Sequence, residues 1–356
     1  MKRRVLFVGR SRYRLPLAPS VAHKFDALRA EVDVRVLASA APDSAPGDAT
    51  FVLVRPVRPR IIDGAAFWLL LPVRIARQLR DFRPDAVVAQ TAHDAAAALL
   101  ARRLARVPVR IVAEVHGDWR TSTRLYGSSA RRLLSGAADA VAAFALRRAD
   151  AVRTVSPFTT GLVRDLGVEP AADFPAYMDL EPFTRPPEPL PAAPVALFVG
   201  VLEAYKNVDG LAEAWRTART DGALRIVGKG SREDVVRALG VRWDRELSSD
   251  GVARALDDAW VLVLPSRSEG MGRVLVEAFC RGRGVIGSRA GSIPNLVEDG
   301  VSGILVDSNE ELARALERVL GDRALAERLG AAAREAAAPW LQTPEEYARR
   351  IAELVA

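Results

Sequence analysis

The chain of 356 residues contains a single cysteine, Cys280, and so cannot form an intramolecular disulfide. Because free cysteine is usually buried and Cys280 falls in a helical pattern, we expect it to be a small core residue. The start of the chain also lacks a long apolar run. MKRRVLFVG has only a strand-length apolar stretch before Arg10, too short for a signal peptide or a membrane-spanning helix. The sequence therefore predicts a cytoplasmic protein.

Motifs typical of nucleic-acid binding are missing as well. Lysine and arginine number 51 against 44 acidic residues, a formal net charge of +7 that could indicate a nucleic-acid partner. The basic residues are, however, spread along many predicted helices, aromatic residues make up only 6%, and no zinc-ligand spacing or RNA-stacking motif occurs. We therefore predict that nucleic acid is not a partner. The same charge would attract nucleotide diphosphates or the anionic inner face of a membrane.

What the chain does contain is a regular alternation of short apolar runs with segments of helix length. It is 49% hydrophobic and 27% charged, and its length allows two domains with full cores. The predicted strands are RRVLFVG, VDVRVLA, TFVLV, DAVVAQ, VRIVAEVH and AVRTVS in the first half, and VALFVG, LRIVG, WVLVLPS, GVIGS and GILVD in the second. This alternation predicts an α/β fold of parallel sheets with helices on both faces.

The clearest break in the alternation is TRPPEPLPAAP at 184–194. Its five prolines and its lack of periodicity indicate a linker. We therefore predict two Rossmann-like, doubly wound domains, an N-terminal one over 1–185 and a C-terminal one over 186–338. In such folds ligands collect at the carboxyl ends of the strands.

The segment 260–306 carries the strongest chemical signal. Glu269 and Glu277, with seven residues between them, flank a turn that contains Gly270 and Gly272 and joins a predicted strand to a predicted helix. Glycine lets the backbone approach a ligand closely, and the N–H groups at a helix start carry partial positive charge, so the turn can hold a phosphate. The two carboxylates could accept hydrogen bonds from sugar hydroxyls. The pattern predicts a nucleotide-sugar site.

At these residues the chain resembles the retaining two-lobed (GT-B) glycosyltransferases of the glycogen-synthase-like family 4. SEGMGRVLVEAF matches the family's Glu, seven residues, Glu signature, and GSIPNLVEDGVSGILV matches the segment that follows it. VALFVGVLEAYKN, LRIVGKGS, VHGDW and YMDLEPF extend the resemblance over nearly the whole chain. It implies a GT-B fold whose two parallel sheets face an interlobe cleft, with the acceptor on the N-terminal side and hinge closure over the donor. It also implies retaining sugar transfer from a nucleotide-diphosphate donor without metal or cofactor.

The resemblance further implies that a last helix, within 339–356, crosses back to the N-terminal domain. Thr343 and Glu346 have the spacing of a capping box at its start. Trp340 and Tyr347 are expected to anchor this helix by packing.

Roles in donor binding follow from the same resemblance. It implies that Glu269 holds a hydroxyl of the transferred sugar, that Glu277 holds the ribose, and that Lys206 and the backbone at 270–272 neutralise the leaving diphosphate. The Gly-rich turn LRIVGKGS could meet a base or phosphate, or be a surface loop. The predicted donor-binding residues are Gly228, Lys229, Gly270, Met271, Gly272, Arg273, Val274 and Glu277.

One phosphate-binding cation of the family is missing. Val201, directly after Gly200, stands where the family usually has an arginine. Arg273, in the first turn of the motif helix, could supply the charge instead. Alternatively Arg273, Glu277 and Arg281, spaced four apart, form surface ion pairs.

In the first half, VRIVAEVHGDW places His116 and Asp118 directly after an apolar strand. A histidine there can bind a sugar hydroxyl or a phosphate, or it can bond a neighbouring carbonyl group. By resemblance His116 contacts the donor sugar and joins Lys206 and Glu269 as the predicted catalytic residues. Asp118 could orient His116 or bind the acceptor.

The family commonly has a glycine pair after the first strand, but here Gly9 is followed by RSRYR. The three arginines of this segment could grip an anionic acceptor or the donor diphosphate. They could equally form a solvated loop. The residues in question are Arg10, Arg12 and Arg14.

The segment 64–85 is the candidate for peripheral contact with a membrane. Leu69–Leu71 precede three arginines whose spacing of three puts them on one helical face, namely Arg74, Arg77 and Arg80. The alternative is an ordinary helix that covers the sheet.

The sequence therefore predicts a retaining, metal-independent glycosyltransferase of the hexosyltransferase type, cytoplasmic or peripheral at the inner membrane face. Its acceptor would be a lipid-linked or cell-surface glycan intermediate, or a small molecule. One alternative is a catalytically degenerate homologue that binds a nucleotide or a partner protein, suggested by Val201, the missing glycine pair and Asn295 in place of a frequent Glu. Another is a UDP-sugar epimerase of the same architecture, which would be expected to lack the Glu, seven residues, Glu pattern.

Overall fold

The computed structural model describes residues 2–57, 60–121 and 135–356. These residues form two compact units. The first contains the chain up to Tyr177 together with Gln342–Ala356, and the second contains Met178–Leu341.

The first unit is built on a seven-stranded sheet in the order β3-β2-β1-β4-β5-β6-β7, with all neighbouring strands parallel. Its strands are β1 (Arg4–Tyr13), β2 (Asp33–Ala40), β3 (Phe51–Val54), β4 (Ala86–Ala89), β5 (Arg110–Val115), β6 (Ala151–Thr154) and β7 (Ala172–Asp173). The described helices are α1 (Pro19–Glu31), α2 (Arg60–Asp81), α3 (Ala92–Ala105), α4 (Ser135–Arg148), α5 (Pro157–Arg164) and, from the end of the chain, α14 (Pro344–Leu354).

Alternation along β1 explains why helices cover both faces of this sheet. Val5 and Phe7 belong to the core cluster that includes residues of α1 and α14, whereas Leu6 and Val8 belong to the cluster with residues of α2 and α3. Successive side chains of a strand point to opposite faces, so a continuous apolar run needs a helical layer on each side.

The second unit is built on a six-stranded parallel sheet in the order β10-β9-β8-β11-β12-β13. Its strands are β8 (Val195–Val199), β9 (Ala223–Val227), β10 (Arg242–Asp244), β11 (Val261–Leu264), β12 (Gly284–Ser288) and β13 (Gly303–Val306). Its helices are α6 (Glu181–Thr184), α7 (Val208–Thr217), α8 (Glu233–Leu239), α9 (Ser249–Asp257), α10 (Arg273–Cys280), α11 (Ile293–Leu296), α12 (Asn309–Leu320) and α13 (Arg323–Ala336), with 3-10 turns at Ala204–Lys206 and Ala338–Trp340.

The predicted α/β fold with two parallel sheets is confirmed, and every predicted strand is present. The structure adds β7 and β10, edge strands of two and three residues that are too short to show an apolar pattern. It also extends β1 past Gly9 to Tyr13, so most of the segment 10–14 is strand rather than loop. Pairing with β2 is interrupted after Val8 and resumes at Arg12. The second part of β1 was therefore not predicted from the periodicity of its apolar residues.

The proline-rich segment 184–194 belongs to the second unit, since the division between the units falls after Tyr177. Proline lacks an N–H group, so such a segment leaves many carbonyl oxygens without backbone partners. Guanidinium groups of the second unit donate to them: Arg281 to Arg185 O at 2.7 Å, Arg283 to Glu188 O at 2.8 Å and Arg323 to Leu190 O at 2.7 Å. The segment is therefore held against this unit.

In the first unit α14 packs against α1. The capping box at its start is present, since Glu346 N–H donates to Thr343 Oγ1 at 3.1 Å and Thr343 N–H donates to Glu346 Oε2 at 2.9 Å. Tyr347 is buried beside the ring of Phe174, as expected of an anchor. The expectation for Trp340 is wrong, because the helix begins only at Pro344 and Trp340 packs against the core of the second unit.

Cys280 lies in the core of the second unit, as expected, and burial raises the pKa of its thiol to about 11.

Across the ranges that the structure describes, no helix combines the length and the apolarity needed to cross a membrane.

A buried carboxyl group in α3 predicts a dependence of stability on pH. Asp94 is fully buried, and Thr91 Oγ1 donates to it at 2.8 Å. Burial raises the pKa of Asp94 to about 7, although the hydrogen bonds with Thr91 lower it, whereas its ordinary value is 3.8. The folded state therefore loses stability as pH rises from about 4 to about 7. The difference between a pKa of about 7 and one of 3.8 corresponds to about 4 kcal/mol of the free energy of unfolding. We expect Asp94→Asn to abolish this loss, so its Tm relative to the wild type should rise by about 10 °C between pH 4 and pH 8.

Thermal unfolding at a series of pH values measures this difference. Asp81→Asn, at the exposed end of α2, is the matched control and should show a Tm difference that does not change with pH. A pH-independent difference for Asp94→Asn would show that Asp94 is ionised in the fold.

Candidate functional site

The turn after β11 places Glu269 before α10 and Glu277 inside it. Gly272 is the N-cap of α10 and has φ +70°, a conformation that glycine adopts without steric cost. A Cβ at this position would lie 2.7 Å from Leu275 Cδ1. No side chain caps the start of this helix. The partial positive charge of its first N–H groups is therefore not offset by a hydrogen bond to a capping side chain.

Lys206 and Glu269 form an ion pair in the second unit. Lys206 ends the 3-10 turn that follows β8, and its Nζ donates to Glu269 Oε2 at 2.7 Å. The two side chains are only 9% and 14% exposed, so solvent screens the pair weakly. The structure thus brings together two of the three predicted catalytic residues.

A glycine behind Glu269 fixes the position of its main chain. Gly291 has φ +59°, and a Cβ there would lie 2.2 Å from the carbonyl oxygen of Glu269. Ser292 N–H donates to the same oxygen at 2.9 Å. The segment GSIPN therefore supports the Glu269 turn, and a side chain at position 291 would displace it.

Glu277 is buried and forms an ion pair with Arg273. Arg273 Nε donates to Glu277 Oε1 at 2.7 Å, an i, i+4 pair in which the Arg273 side chain is half exposed. Burial raises the pKa of Glu277, although the charge of Arg273 opposes this. Arg281 does not join the pair, because its guanidinium bonds Asp257 instead. Arg273 thus forms an ion pair with Glu277, which was one of the two alternatives predicted for it.

The turn with Gly228 and Lys229 lies against the segment that begins at Gly200. Gly228 has φ +148°, and a Cβ there would lie 1.8 Å from Gly200 O. Leu202 N–H donates to Lys229 O at 3.0 Å. A Cβ on Gly200 would in turn lie 3.6 Å from Lys206 Cε, so these predicted donor residues share one region of the second unit.

The side chains of three predicted donor residues contact other residues of the second unit. Met271 and Val274 pack, partly buried, against the core of the second unit. The ammonium group of Lys229 pairs with Glu246 at 2.6 Å, and both side chains are more than half exposed.

In the first unit His116 follows β5 and is bound by a buried acid. Its Nε2 lies 3.1 Å from Glu114 Oε2, and the His116 side chain is 39% exposed. Glu114 also pairs with Arg153, which is fully buried. Burial alone would raise the pKa of Glu114, but the charge of Arg153 and the bond with His116 hold it at about 2. The carboxylate is therefore a permanent acceptor for Nε2–H, which leaves Nδ1 of His116 for a ligand.

Arg153 is itself held from several sides. It donates to Phe174 O at 3.0 Å and to Pro175 O at 2.8 Å, and its guanidinium lies 3.9 Å from the centroid of the Phe174 ring. Glu114 and Arg153 are register partners on β5 and β6.

Sequence reasoning missed Glu114 and Arg153 as part of the site. The signal was one charged residue of each sign inside two neighbouring apolar strands, which indicates a buried ion pair.

Asp118 does not orient His116. Its carboxylate accepts hydrogen bonds from Arg120 N–H at 2.9 Å and from Thr121 Oγ1 at 2.9 Å, and it forms an ion pair with the Arg120 guanidinium. The pKa of Asp118 is lowered, because these bonds outweigh the effect of burial. Glu114 is the acid that bonds His116.

Arg10, Arg12 and Arg14 are all exposed, Arg10 and Arg12 within β1 and Arg14 just after it. Arg10 pairs with Asp63 of α2 at 3.0 Å. The bonds from Val57 N–H and Arg10 lower the pKa of Asp63.

Acidic groups that could suggest a metal are otherwise occupied. Asp257 and Asp258 pair with Arg281 and Arg225. Among the described residues no group of three or more His, Cys, Asp or Glu side chains is arranged to hold a metal ion.

Two family models match the chain. Residues 182–336 match the family model of the glycosyl transferases group 1, and residues 17–172 match that of a glycosyl transferase 4-like domain. The alpha-D-kanosaminyltransferase of Streptomyces kanamyceticus is 32% identical over 150 residues, which are 38% of this chain and 39% of that protein. The chain matches less than half the length of this and the other similar curated relatives.

Solved structures share the fold over nearly the whole chain. Sucrose-phosphate synthase from Thermosynechococcus elongatus has a TM-score of 0.81 at 19% identity and covers 99% of this chain and 98% of its own. Anabaena HepE in complex with UDP-glucose has a TM-score of 0.72 at 17% identity and covers 99% of both chains. The two family models together account for most of the sequence, and the chain belongs to the group 1 glycosyltransferases of the GT-B type.

Proposed function

We propose that the chain transfers a sugar from a nucleotide-diphosphate donor to an acceptor hydroxyl, with retention of the anomeric configuration and without a metal ion. The observation that carries this proposal is the shielded Lys206–Glu269 pair beside the turn into α10. A diphosphate gains negative charge as its bond to the sugar breaks. An ammonium group and a helix start that are already in position stabilise that charge without reorganising.

Each group of the second unit then has its own task. Glu269, held by Lys206, accepts a hydrogen bond from a hydroxyl of the transferred sugar, and Lys206 also neutralises the leaving diphosphate. The backbone at 270–272 binds the phosphate, and Glu277 accepts from the ribose. Gly228 and Lys229 border the nucleotide, consistent with the close approach of Gly228 to Gly200.

Retention follows from departure and attack on one face of an oxocarbenium-like centre. The bond to the diphosphate breaks, the acceptor oxygen bonds the same carbon from the same side, and the acceptor's hydroxyl proton passes to the leaving diphosphate oxygen. No covalent enzyme intermediate forms. Positioning and charge stabilisation then supply the rate. His116 is proposed to contact the donor sugar through Nδ1, since Glu114 occupies its Nε2.

The proposal also covers the partners of the reaction. The acceptor is a lipid-linked or cell-surface glycan intermediate, or a small molecule, and the protein works in the cytoplasm with peripheral membrane contact. Arg10, Arg12, Arg14 and Asp118 are the proposed acceptor or phosphate contacts. UDP-sugars are the first donors to test, because the similar HepE structure holds UDP-glucose.

A panel of nucleotides and their sugars tests the function. We expect one of UDP, GDP, ADP and dTDP to raise the Tm. At a hundred times its Kd, that nucleotide should raise the free energy of unfolding by about 2.7 kcal/mol. The corresponding sugar should be consumed, with release of that diphosphate, in the presence of EDTA. NMR of the product reports its anomeric configuration. Nucleotide binding without turnover would identify a catalytically silent homologue, and conversion of the sugar without diphosphate release would identify an epimerase.

The missing arginine at Val201 gives a gain-of-function prediction. Val201 is 45% exposed, so a longer side chain fits without repacking. Val201→Arg should lower the donor KM about tenfold, because it restores a charge-assisted bond to the diphosphate. Arg273→Ala should change the donor KM less than about threefold, because Arg273 already forms a half-exposed pair with Glu277.

Steady-state kinetics with varied donor measure both effects, and Val301→Arg, at a similarly exposed valine, is the control for Val201→Arg. An Arg273→Ala variant that loses donor affinity as severely as a Lys206 variant would show that Arg273 supplies the missing cation.

A further inference from the structure

Exposed apolar side chains are concentrated on one surface of the first unit. Eleven large hydrophobic residues of the described chain are exposed, and seven of them belong to α2, α3 and α4. A single exposed leucine needs no explanation, but a cluster does. We define the three-helix face by these seven residues: Leu69, Leu70, Val73, Leu100, Leu104, Val141 and Phe144.

The helices that carry the three-helix face form one layer. α2 packs against α3, and α3 packs against α4. α2 buries Phe67, Leu71 and Ile75, spaced four apart, in the core beneath it. Leu69 lies two positions from Phe67 and Leu71, hence on the opposite side of the helix, and is 79% exposed. The face therefore points away from the sheet.

The exposed charges on these three helices are nearly all of one sign. Asp81 is the single exposed acidic side chain that the structure describes there, against five exposed arginines: Arg77, Arg80, Arg103, Arg147 and Arg148. Arg80 and Arg147 donate to the carbonyl oxygens of Leu104 and Leu166, which neutralise no charge. The guanidinium groups are therefore ready to bind external anions.

A basic depression adjoins this surface. Each of α2, α3 and α4 returns the chain to the start of the next parallel strand, so their carboxyl ends meet at the amino-terminal edge of the sheet. A cavity of about 1090 Å³ lies at this edge and is lined by Arg3, Arg80, Arg83, Arg102 and Arg110. Its two lining aspartates, Asp85 and Asp150, accept backbone N–H groups of Arg4 and Ile111, and Asp150 also forms an ion pair with Arg102 at 2.6 Å. This edge is opposite to the strand end that carries His116.

We propose that the three-helix face docks on the anionic surface of a lipid bilayer. Its apolar side chains enter the boundary between headgroups and acyl chains, and the arginines around it bind lipid phosphates. Apolar burial and attraction to anionic lipid add in such a contact, and both are present on this one surface. The inference rests on the proposed function for the membrane contact itself, which it narrows to three helices of the first unit.

Flotation of the full chain with vesicles tests the proposal. We expect the wild type to float with phosphatidylcholine vesicles that contain 30% phosphatidylglycerol at low salt, and to be released by high salt. Arg77→Gln with Arg103→Gln should weaken binding about 30-fold, at about 1 kcal/mol for each charge near the surface. Leu69→Gln with Phe144→Gln should weaken it at least as much at any salt concentration. Val301→Gln with Arg349→Gln, exposed elsewhere, should float like the wild type.

Several results would overturn the proposal. They are the absence of flotation with anionic vesicles, flotation of the three-helix variants equal to that of the control, and self-association abolished by Leu69→Gln in a chain that ignores vesicles. The last would assign the face to a protein contact. Donor turnover without vesicles should be the same in all these variants, whereas a Lys206 variant should float normally. Failure of docking and failure of the proposed function are thus distinguishable.

Discussion

The Lys206→Met variant is expected to fold like the wild type and to transfer sugar about 10³-fold more slowly. Methionine keeps most of the stem of lysine but removes the ammonium group that donates to Glu269. The shielded carboxylate of Glu269 would then meet the diphosphate without an intervening positive charge. Removing one preorganised electrostatic group from an enclosed site costs about 10²–10³ in rate, and the added repulsion puts this variant at the upper end.

Release of nucleoside diphosphate under single-turnover conditions measures this loss, and Tm reports folding. Lys2→Met, at an exposed lysine, should keep wild-type activity. Glu269→Gln should also reduce transfer. The double variant should lose less than the product of the two single losses, because the two side chains act as one bonded unit. Transfer by Lys206→Met within threefold of the wild type would place the leaving diphosphate elsewhere.

Much of this region of the second unit could be predicted from the sequence, because its geometry is local. The apolar run of β11, the glycine turn and the helix of α10 follow one another within the segment 261–280. Strand periodicity, glycine conformation and helix spacing therefore fix where Glu269 and Glu277 lie relative to the turn. The ion pair between Lys206 and Glu269 was not predicted, since no local pattern relates side chains 63 positions apart.

What the sequence could not supply depends on contacts between distant segments. Glu114 and His116 are only two positions apart in the sequence. The charge of Arg153 on the neighbouring strand, however, keeps Glu114 ionised, and the register between the two strands brings these two residues together. Asp118, two residues after His116, was predicted as a residue that could orient His116, but its carboxylate accepts hydrogen bonds from Arg120 and Thr121 instead. Nearest neighbours in a sequence are a poor guide to partners where the chain turns.

Replacement of Glu114 should strongly lower the free energy of unfolding of the first unit. Glu114→Gln leaves the Arg153 guanidinium fully buried without a counter-charge. Breaking a buried pair from one side costs about 3–5 kcal/mol of the free energy of unfolding. The carbonyl oxygens of Phe174 and Pro175 still accept from Arg153, so we expect a loss near 3 kcal/mol.

The double variant Glu114→Leu with Arg153→Met separates stability from function. It removes both charges, so most of the unfolding free energy lost in Glu114→Gln should return. It does not restore an acceptor for His116, so the donor kcat should stay reduced if Glu114 positions that ring. Denaturant unfolding and transfer kinetics measure the two quantities, and recovery of both would mean that Glu114 serves only the core.

The pKa of Glu114 also determines how its stabilisation of the fold depends on pH. The pKa of Glu114 lies at about 2 in the fold and ordinarily at 4.5, so its stabilisation is present above pH 4.5 and is lost as pH falls toward 2. The stability difference between the wild type and Glu114→Gln should therefore shrink over that interval.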